Sequence, residues 1–157
     1  MKRKIHATAA FLSFFLVASF WASTVVSELF MTKQAVTYVK EAIVLALFIF
    51  VPTIAITGVT GFSMGGKGRN PLLASKRRRM PLIAGTGLLL LLPAAVFLYF
   101  RSQAGLFDQT FYWVQGLELL AGASNLTLIG LNIRDGLHLS KNRKSVVARH
   151  FERKAQP

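Results

Sequence analysis

The sequence predicts an all-α integral membrane protein, a four-helix bundle of up-down-up-down topology with the N-terminus and C-terminus both cytoplasmic. Three observations predict it. Of the 157 residues, 53% are hydrophobic and the mean hydropathy is +0.47, more than a soluble domain of this size keeps in water. Crossing a bilayer core takes roughly 20 apolar residues, and four runs are long enough, at about 7–30, 42–59, 81–100 and 111–133. The charge is lopsided, with 19 Lys and Arg against 6 Asp and Glu, and in this topology nearly all the basic residues share one side.

The first run follows Lys2, Arg3 and Lys4. A basic start and an apolar stretch also describe a signal peptide, but Phe20 and Trp21 crowd the small-residue site around Val17 and Ser19. The apolar run continues past it to Phe30, so the segment reads as a retained span. It carries Ser13, Ser23, Thr24, Ser27 and Glu28, with His6 at its basic end. A short connection at 31–37 makes the second span an antiparallel neighbour. Pro52 lies inside that span, where Thr53, Thr57 or water is expected to satisfy the freed carbonyl.

A basic loop at 62–80 follows, with Lys67, Arg69, Lys76, Arg77, Arg78 and Arg79. Its start, Gly61 to Gly68, fits the glycine and lysine spacing of a phosphate-binding loop, yet Gly68 stands where a Ser or Thr must reach magnesium. No strand leads into it, so it reads as a membrane exit with a small-xxx-small pair, Gly61 and Gly65. Pro93 kinks the third span. After a short connection at 102–110, the fourth span places Gln115, Glu118, Gly122, Asn125 and Asn132 on one face. A polar stripe of that kind faces the bundle interior or a partner protein, and a buried Glu118 calls for a compensating cation or hydrogen-bond donor if it is to stay charged. Trp21, Trp113, Tyr112, Tyr38 and Tyr99 fall mainly near span ends as headgroup anchors, with Trp21 deep enough to pack inside.

Residues 1–136 form the transmembrane domain and 137–157 a basic cytoplasmic tail. Arg134-Asp135-Gly136 is expected to close the last helix, with Gly136 as the stop. The tail reads either as an interfacial amphipathic helix, with Val146, Val147, His150 and Phe151 on one face, or as a solvated extension. Arg77, Arg78, Arg79, Lys144 and Arg149 are the candidate contacts to anionic lipid headgroups. Nucleic acid is disfavoured, because no aromatic platform accompanies the charge. Only Lys33, Lys40 and Arg101 fall on the opposite side, matched there by Glu28, Glu41 and Asp108, so the positive-inside rule gives one orientation.

The chain has no cysteine, which removes disulfides, thiolate metal sites, iron–sulfur clusters and c-type haem. Asn125-Leu126-Thr127 matches a glycosylation acceptor but lies inside a span and is disregarded. His6 and His138 fall at the cytoplasmic ends of neighbouring helices, where two imidazoles could ligate one b-type haem. An unbroken fourth helix would turn His138 off the polar face, because six residues from Asn132 is not a helical repeat. A break at Gly136 would reset its direction. No nucleophile, base and orienting group assemble from the spacing, so the reading leans away from an enzyme.

The chain resembles a group of small four-span bacterial inner-membrane proteins. The resemblance rests on Lys4-Ile5-His6, on Phe20-Trp21-Ala22-Ser23-Thr24 through Ser27-Glu28-Leu29, and on Lys76-Arg77-Arg78-Arg79-Met80-Pro81. It continues from Gln115-Gly116-Leu117-Glu118 to Asn132-Ile133-Arg134-Asp135-Gly136, covering nearly everything before the tail. It implies a compact bundle of the bacterial cytoplasmic membrane, draws notice to His6, Glu28, Glu118 and Asn125, and brings no activity with it.

Three functions follow as expectations. The first is an accessory protein whose polar interior binds a cofactor or lipid-soluble ligand, b-type haem or a quinone, through His6, His138, Glu118 and Asn125, with Ser13, Thr24, Ser27, Glu28, Gln115 and Asn132 lining it. The second is a non-catalytic subunit or assembly factor of a larger membrane complex, whose polar groups fix helix packing. The third is a carrier of protons, cations or a small metabolite that uses Glu118 and Glu28 and acts as a homodimer.

Overall fold

The computed structural model describes residues 2–64 and 71–155, and side chains within them except those of 2, 3, 62, 64, 71–73, 77 and 139–155. Every described element is helical: α1 (Lys2–Phe30), α2 (Lys33–Met64), α3 (Pro71–Thr86), a π-helical turn (Gly87–Leu91), α4 (Leu92–Gln103) and α5 (Gln109–Ala155). Four stretches are long and apolar enough to cross a membrane, Lys4–Phe30, Lys33–Gly61, Ala74–Gln103 and Gln109–His138. In hydrocarbon no water is available to the backbone, so each segment must close its own hydrogen bonds, which a helix does.

Each helix is longer than its apolar run. Only Met31 and Thr32 separate α1 from α2, so Lys40 and Glu41, expected near the connection, lie inside α2. The helix continues through Gly136, which is not a stop, and α5 runs unbroken for 47 residues. A glycine in mid-helix costs only about 0.5–1 kcal/mol, and cooperative propagation on either side overrides that. The tail to Ala155 is therefore helical backbone, whereas the headgroup contacts assigned to Arg77, Lys144 and Arg149 lie outside the described side chains. The glycine-lysine segment at 65–70 also lies outside the described residues.

Neither threonine satisfies the carbonyl that Pro52 frees, that of Phe48. Thr53 Oγ1 donates to Ile49 O at 2.7 Å and Thr57 Oγ1 to Thr53 O at 2.9 Å. In the third span the irregularity sits before Pro93, which begins α4 as one of its first residues. The Leu92 N–H donates to Gly87 O, a five-residue step. Pro93 has no N–H, so neither residue positioned to bond Leu88 O, Leu92 by an α step or Pro93 by a π step, donates to it.

Helix α1 packs along α2 and α5, and the third span packs on α2 through α4 and on α5 along its length. Val36, Leu98 and Phe111 form a buried apolar cluster, with Phe107 and Val114 against it. Thr37 Oγ1 donates across to Ser102 O at 3.3 Å, and Phe20 meets Phe50 edge-on at 5.9 Å between centroids. Trp21 packs inside: its Nε1 donates to Leu119 O at 3.0 Å, and a Cβ on Gly122 would come 3.1 Å from its Cδ1. A side chain at position 122 would therefore require the indole to give by a few tenths of an ångström. Trp113, Tyr112 and Tyr38 are exposed, as interfacial anchors should be. The turn into α5 is closed by Gly105 at φ 68° and by Asp108, whose Oδ1 accepts from Phe111 N at 3.0 Å. That bond satisfies one of the unpaired donors at the helix start.

Candidate functional site in the polar interior

The polar stripe of α5 is turned into the protein. Gln115, Gly122 and Asn125 are buried, Glu118 is 14% exposed at its side chain, and the Oδ1 of Asn132 is buried. From α1, Ser13, Thr24 and Ser27 are buried as well, and Glu28 is half-buried. Ser27 spends its hydroxyl on Thr24 O at 3.1 Å, which leaves it a packing residue. The interior thus divides into three polar levels.

Near the α1–α2 turn lies a residue the sequence reading had placed in the outer connection. Lys40, 1% exposed, reaches across to Glu118 with Nζ 3.0 Å from Oε2. Gln115 Nε2 donates to the same oxygen at 3.0 Å. The signal was present in the spacing: Val36, Lys40, Ile43 and Phe50 share the buried face of α2. Desolvating two charges is costly, and the close ion pair with its extra hydrogen bond offsets that cost. Glu28 lies two residues before the end of α1, near the same turn. Its Oε1 is buried without a hydrogen-bond partner among the described residues.

The middle level is Asn125. It is 1% exposed, and neither its Oδ1 nor its Nδ2 has a partner among the described residues. Its Nδ2 would lie 3.6 Å from a Cβ on Gly87, the first residue of the π turn, so amide and irregular backbone face each other. Ser13 Oγ, Gln115 Oε1 and Asn132 Oδ1 are also buried without a partner among the described residues. A buried polar atom without a partner costs about 1–3 kcal/mol, and native proteins tolerate few of them without a use. Turns of π type recur at functional sites for the same reason, since they leave backbone groups to bind something else.

At the opposite end, His6 turns to α2 and not to α5. Its Nδ1 lies 3.2 Å from Thr57 O and 3.0 Å from Thr60 Oγ1. His138 is exposed, so the two imidazoles do not share a buried site. The continuous helix through Gly136 gives the reason, because it denies His138 the change of direction that pairing required. Asp135, 2% exposed, accepts from Arg79 at 2.7 Å and from Arg134 at 3.3 Å. Arg79 is therefore a helix-to-helix tie between α3 and α5, while Arg78 is exposed. Among the described residues no three His, Asp or Glu side chains gather closely enough to hold a metal ion. No family model, curated protein or solved structure matches the chain, so its function is argued from the chemistry of this interior.

Proposed function

We propose that this is a small accessory protein of the bacterial cytoplasmic membrane whose interior binds a lipid-soluble ligand with a hydrogen-bonding headgroup, of quinone type. The single observation that carries the reading is Asn125, buried against the π turn with both ends of its amide unpartnered among the described residues. Such an amide offers a donor and an acceptor at one place, which suits a headgroup bearing carbonyl or hydroxyl oxygens. Ser13 Oγ and Asn132 Oδ1, also without partners among the described residues, extend the same polarity. An apolar tail would leave between the helices into lipid. Haem is the weaker candidate, because His138 is exposed.

The cross-helix contacts support an up-down-up-down order. His6 meets Thr57 and Thr60, Trp21 meets Leu119, and Thr37 meets Ser102. Each pairs the late part of one span with the early part of another, or the reverse. With the basic residues near the termini and in the 62–80 loop, both termini lie in the cytoplasm, and the Lys40–Glu118 pair lies toward the outer side.

The test is extraction. Protein purified in mild detergent is extracted with organic solvent, and isoprenoid quinones are quantified by mass spectrometry beside an absorption spectrum taken with and without dithionite. A near-stoichiometric quinone in the wild type, lost in a folded Asn125→Leu variant, supports the proposal. A ligand-free, folded wild type overturns it and leaves the structural-subunit reading first. A Soret band in place of quinone also overturns it, in favour of haem.

A further inference from the structure

At the basic end of the bundle three cations gather on one carboxylate. Arg79 Nη1 donates to Asp135 Oδ2 at 2.7 Å, and Arg134 reaches Asp135 Oδ1 through Nη2 at 3.3 Å and Nε at 3.4 Å. Lys76 precedes Arg79 by one turn on the same face of α3, and its Nζ would stand 3.4 Å from a Cβ on Gly136, the residue after Asp135. The ammonium and both guanidiniums therefore surround a single stretch of α5.

The charge there does not balance. The chain has 6 acidic residues, of which Glu28, Glu41, Asp108 and Glu118 belong to the opposite end, Glu41 with Gln103 and Glu118 with Lys40. Glu152 lies about 25 Å further along the unbroken α5. Among the described side chains Asp135 alone meets these cations, which leaves two positive charges in excess. It engages one N–H of Arg79 and two of Arg134, of the five that a guanidinium carries. Arg134 keeps 62% of its side chain exposed, so its remaining donors are open to an anion.

Depth decides which anion comes. Ala74 opens the third apolar stretch and His138 closes the fourth, so Lys76, Arg79 and Arg134 lie within two turns of the membrane edge. One turn deeper than Arg79, Leu82 is exposed, and the same span goes on to expose Leu88 and Leu89. Cationic donors at headgroup depth above an apolar surface suit a phosphate that carries acyl chains, whereas a free anion gains nothing from the leucines. We infer that Lys76, Arg79 and Arg134 form a discrete site between α3 and α5 for a phospholipid headgroup bearing two negative charges, of the kind made by two glycerol-linked phosphodiesters. The site is independent of the quinone reading, since it uses neither Asn125 nor the π turn.

The full chain, freed of lipid in a neutral detergent, is titrated with cardiolipin, phosphatidylglycerol or phosphatidylcholine, with and without inorganic phosphate, and bound lipid is counted by native mass spectrometry. One cardiolipin per chain should bind ahead of phosphatidylglycerol, phosphatidylcholine should not be retained, and equimolar inorganic phosphate should not displace the lipid. Lys76→Gln and Arg134→Gln should each weaken cardiolipin binding about fivefold, the effect of one basic residue at a membrane surface. Arg134→Lys should restore much of the loss, and Lys4→Gln, which removes an exposed charge from α1 at the same end, should change nothing. Circular dichroism establishes that each variant is helical before its lipid is counted, and the exposed Arg134 decides the matter if Lys76→Gln does not fold. Equal retention of phosphatidylcholine, or a loss in Lys4→Gln as large as in Arg134→Gln, overturns the discrete site. Displacement by equimolar inorganic phosphate overturns the lipid as its occupant, and equal affinity for phosphatidylglycerol overturns the double charge.

Discussion

Replacing Lys40 with Met leaves Glu118 buried with Gln115 as its remaining donor. At 3.0 Å and an effective dielectric of about 20, the lost attraction is roughly 5.5 kcal/mol before solvation is counted. Lys40 is 1% exposed, so its own desolvation cost disappears with it, and the net loss from breaking such a pair is about 3–5 kcal/mol. Glu118→Gln should cost less, because an amide is cheaper to bury than a charge, although it strands the Lys40 ammonium. The double variant Lys40→Met with Glu118→Leu strands neither charge. It should recover most of the loss and fall within about 1 kcal/mol of wild type, or be more stable. Reversible unfolding in mixed micelles, followed by far-ultraviolet circular dichroism for the wild type, both single variants and the double, closes the cycle. If Lys40→Met is as stable as wild type, or if the double variant is no better than the worse single, the buried pair does not hold α2 to α5 and the reasoning fails.

Gly122→Val should destabilise the protein by about 1–3 kcal/mol, since the added side chain meets Trp21 and breaks its bond to Leu119, and Trp21 fluorescence in a Trp113→Phe background should shift on unfolding at lower denaturant. Asn125→Leu should leave stability unchanged or raise it while lowering bound ligand, because it deletes two unpartnered polar atoms; a stability loss above about 2 kcal/mol would show that Asn125 is structural. The Phe111 N–H, and after it the Arg101 guanidinium, hold the exposed Asp108 carboxyl below the ordinary aspartate value of 3.8. Its contribution is complete above that value and disappears as pH falls through the lowered one. Asp108→Ala should therefore narrow the difference in thermal stability between pH 6 and pH 3, and an unchanged pH profile would remove the cap from the account. Arg79→Gln should loosen α3 from α5, read as faster amide exchange around Asp135.

The number of membrane-length helices and their approximate centres were legible because hydropathy averages over many residues and needs no partner information. Their ends were not. Lys40 was read as a solvent charge because a lysine ends an apolar window, and only the opposing Glu118 on a distant helix explains its burial. Gly136 was read as a stop from a local preference worth less than the helix on either side of it. That the polar residues of α5 share one face was legible from spacing, whereas spacing did not choose between the bundle interior and a partner protein. The pairing of His6 was not legible, because imidazole is equally served by Thr57 and Thr60 on α2, and no spacing within α1 selects between neighbours. The π turn left no sequence signal beyond Pro93.

That turn fixes an angle. Each residue of an α-helix advances about 100°, so one residue more than the α count between two points rotates everything before it against everything after. In the third span the part before the turn directs Arg79 to Asp135, and the part after it presents Leu98 to Phe111 and Ser102 to Thr37. Both sets of contacts are met by one chain because the turn supplies the offset between them. Deleting a single leucine from 88–91 would regularise the helix and shorten it by only about 1.5 Å, yet it would swing Arg79 about a quarter turn away from its carboxylate. In this protein a one-residue deletion at a lipid-facing leucine should therefore do more harm than substituting that leucine, with the damage appearing about three turns away.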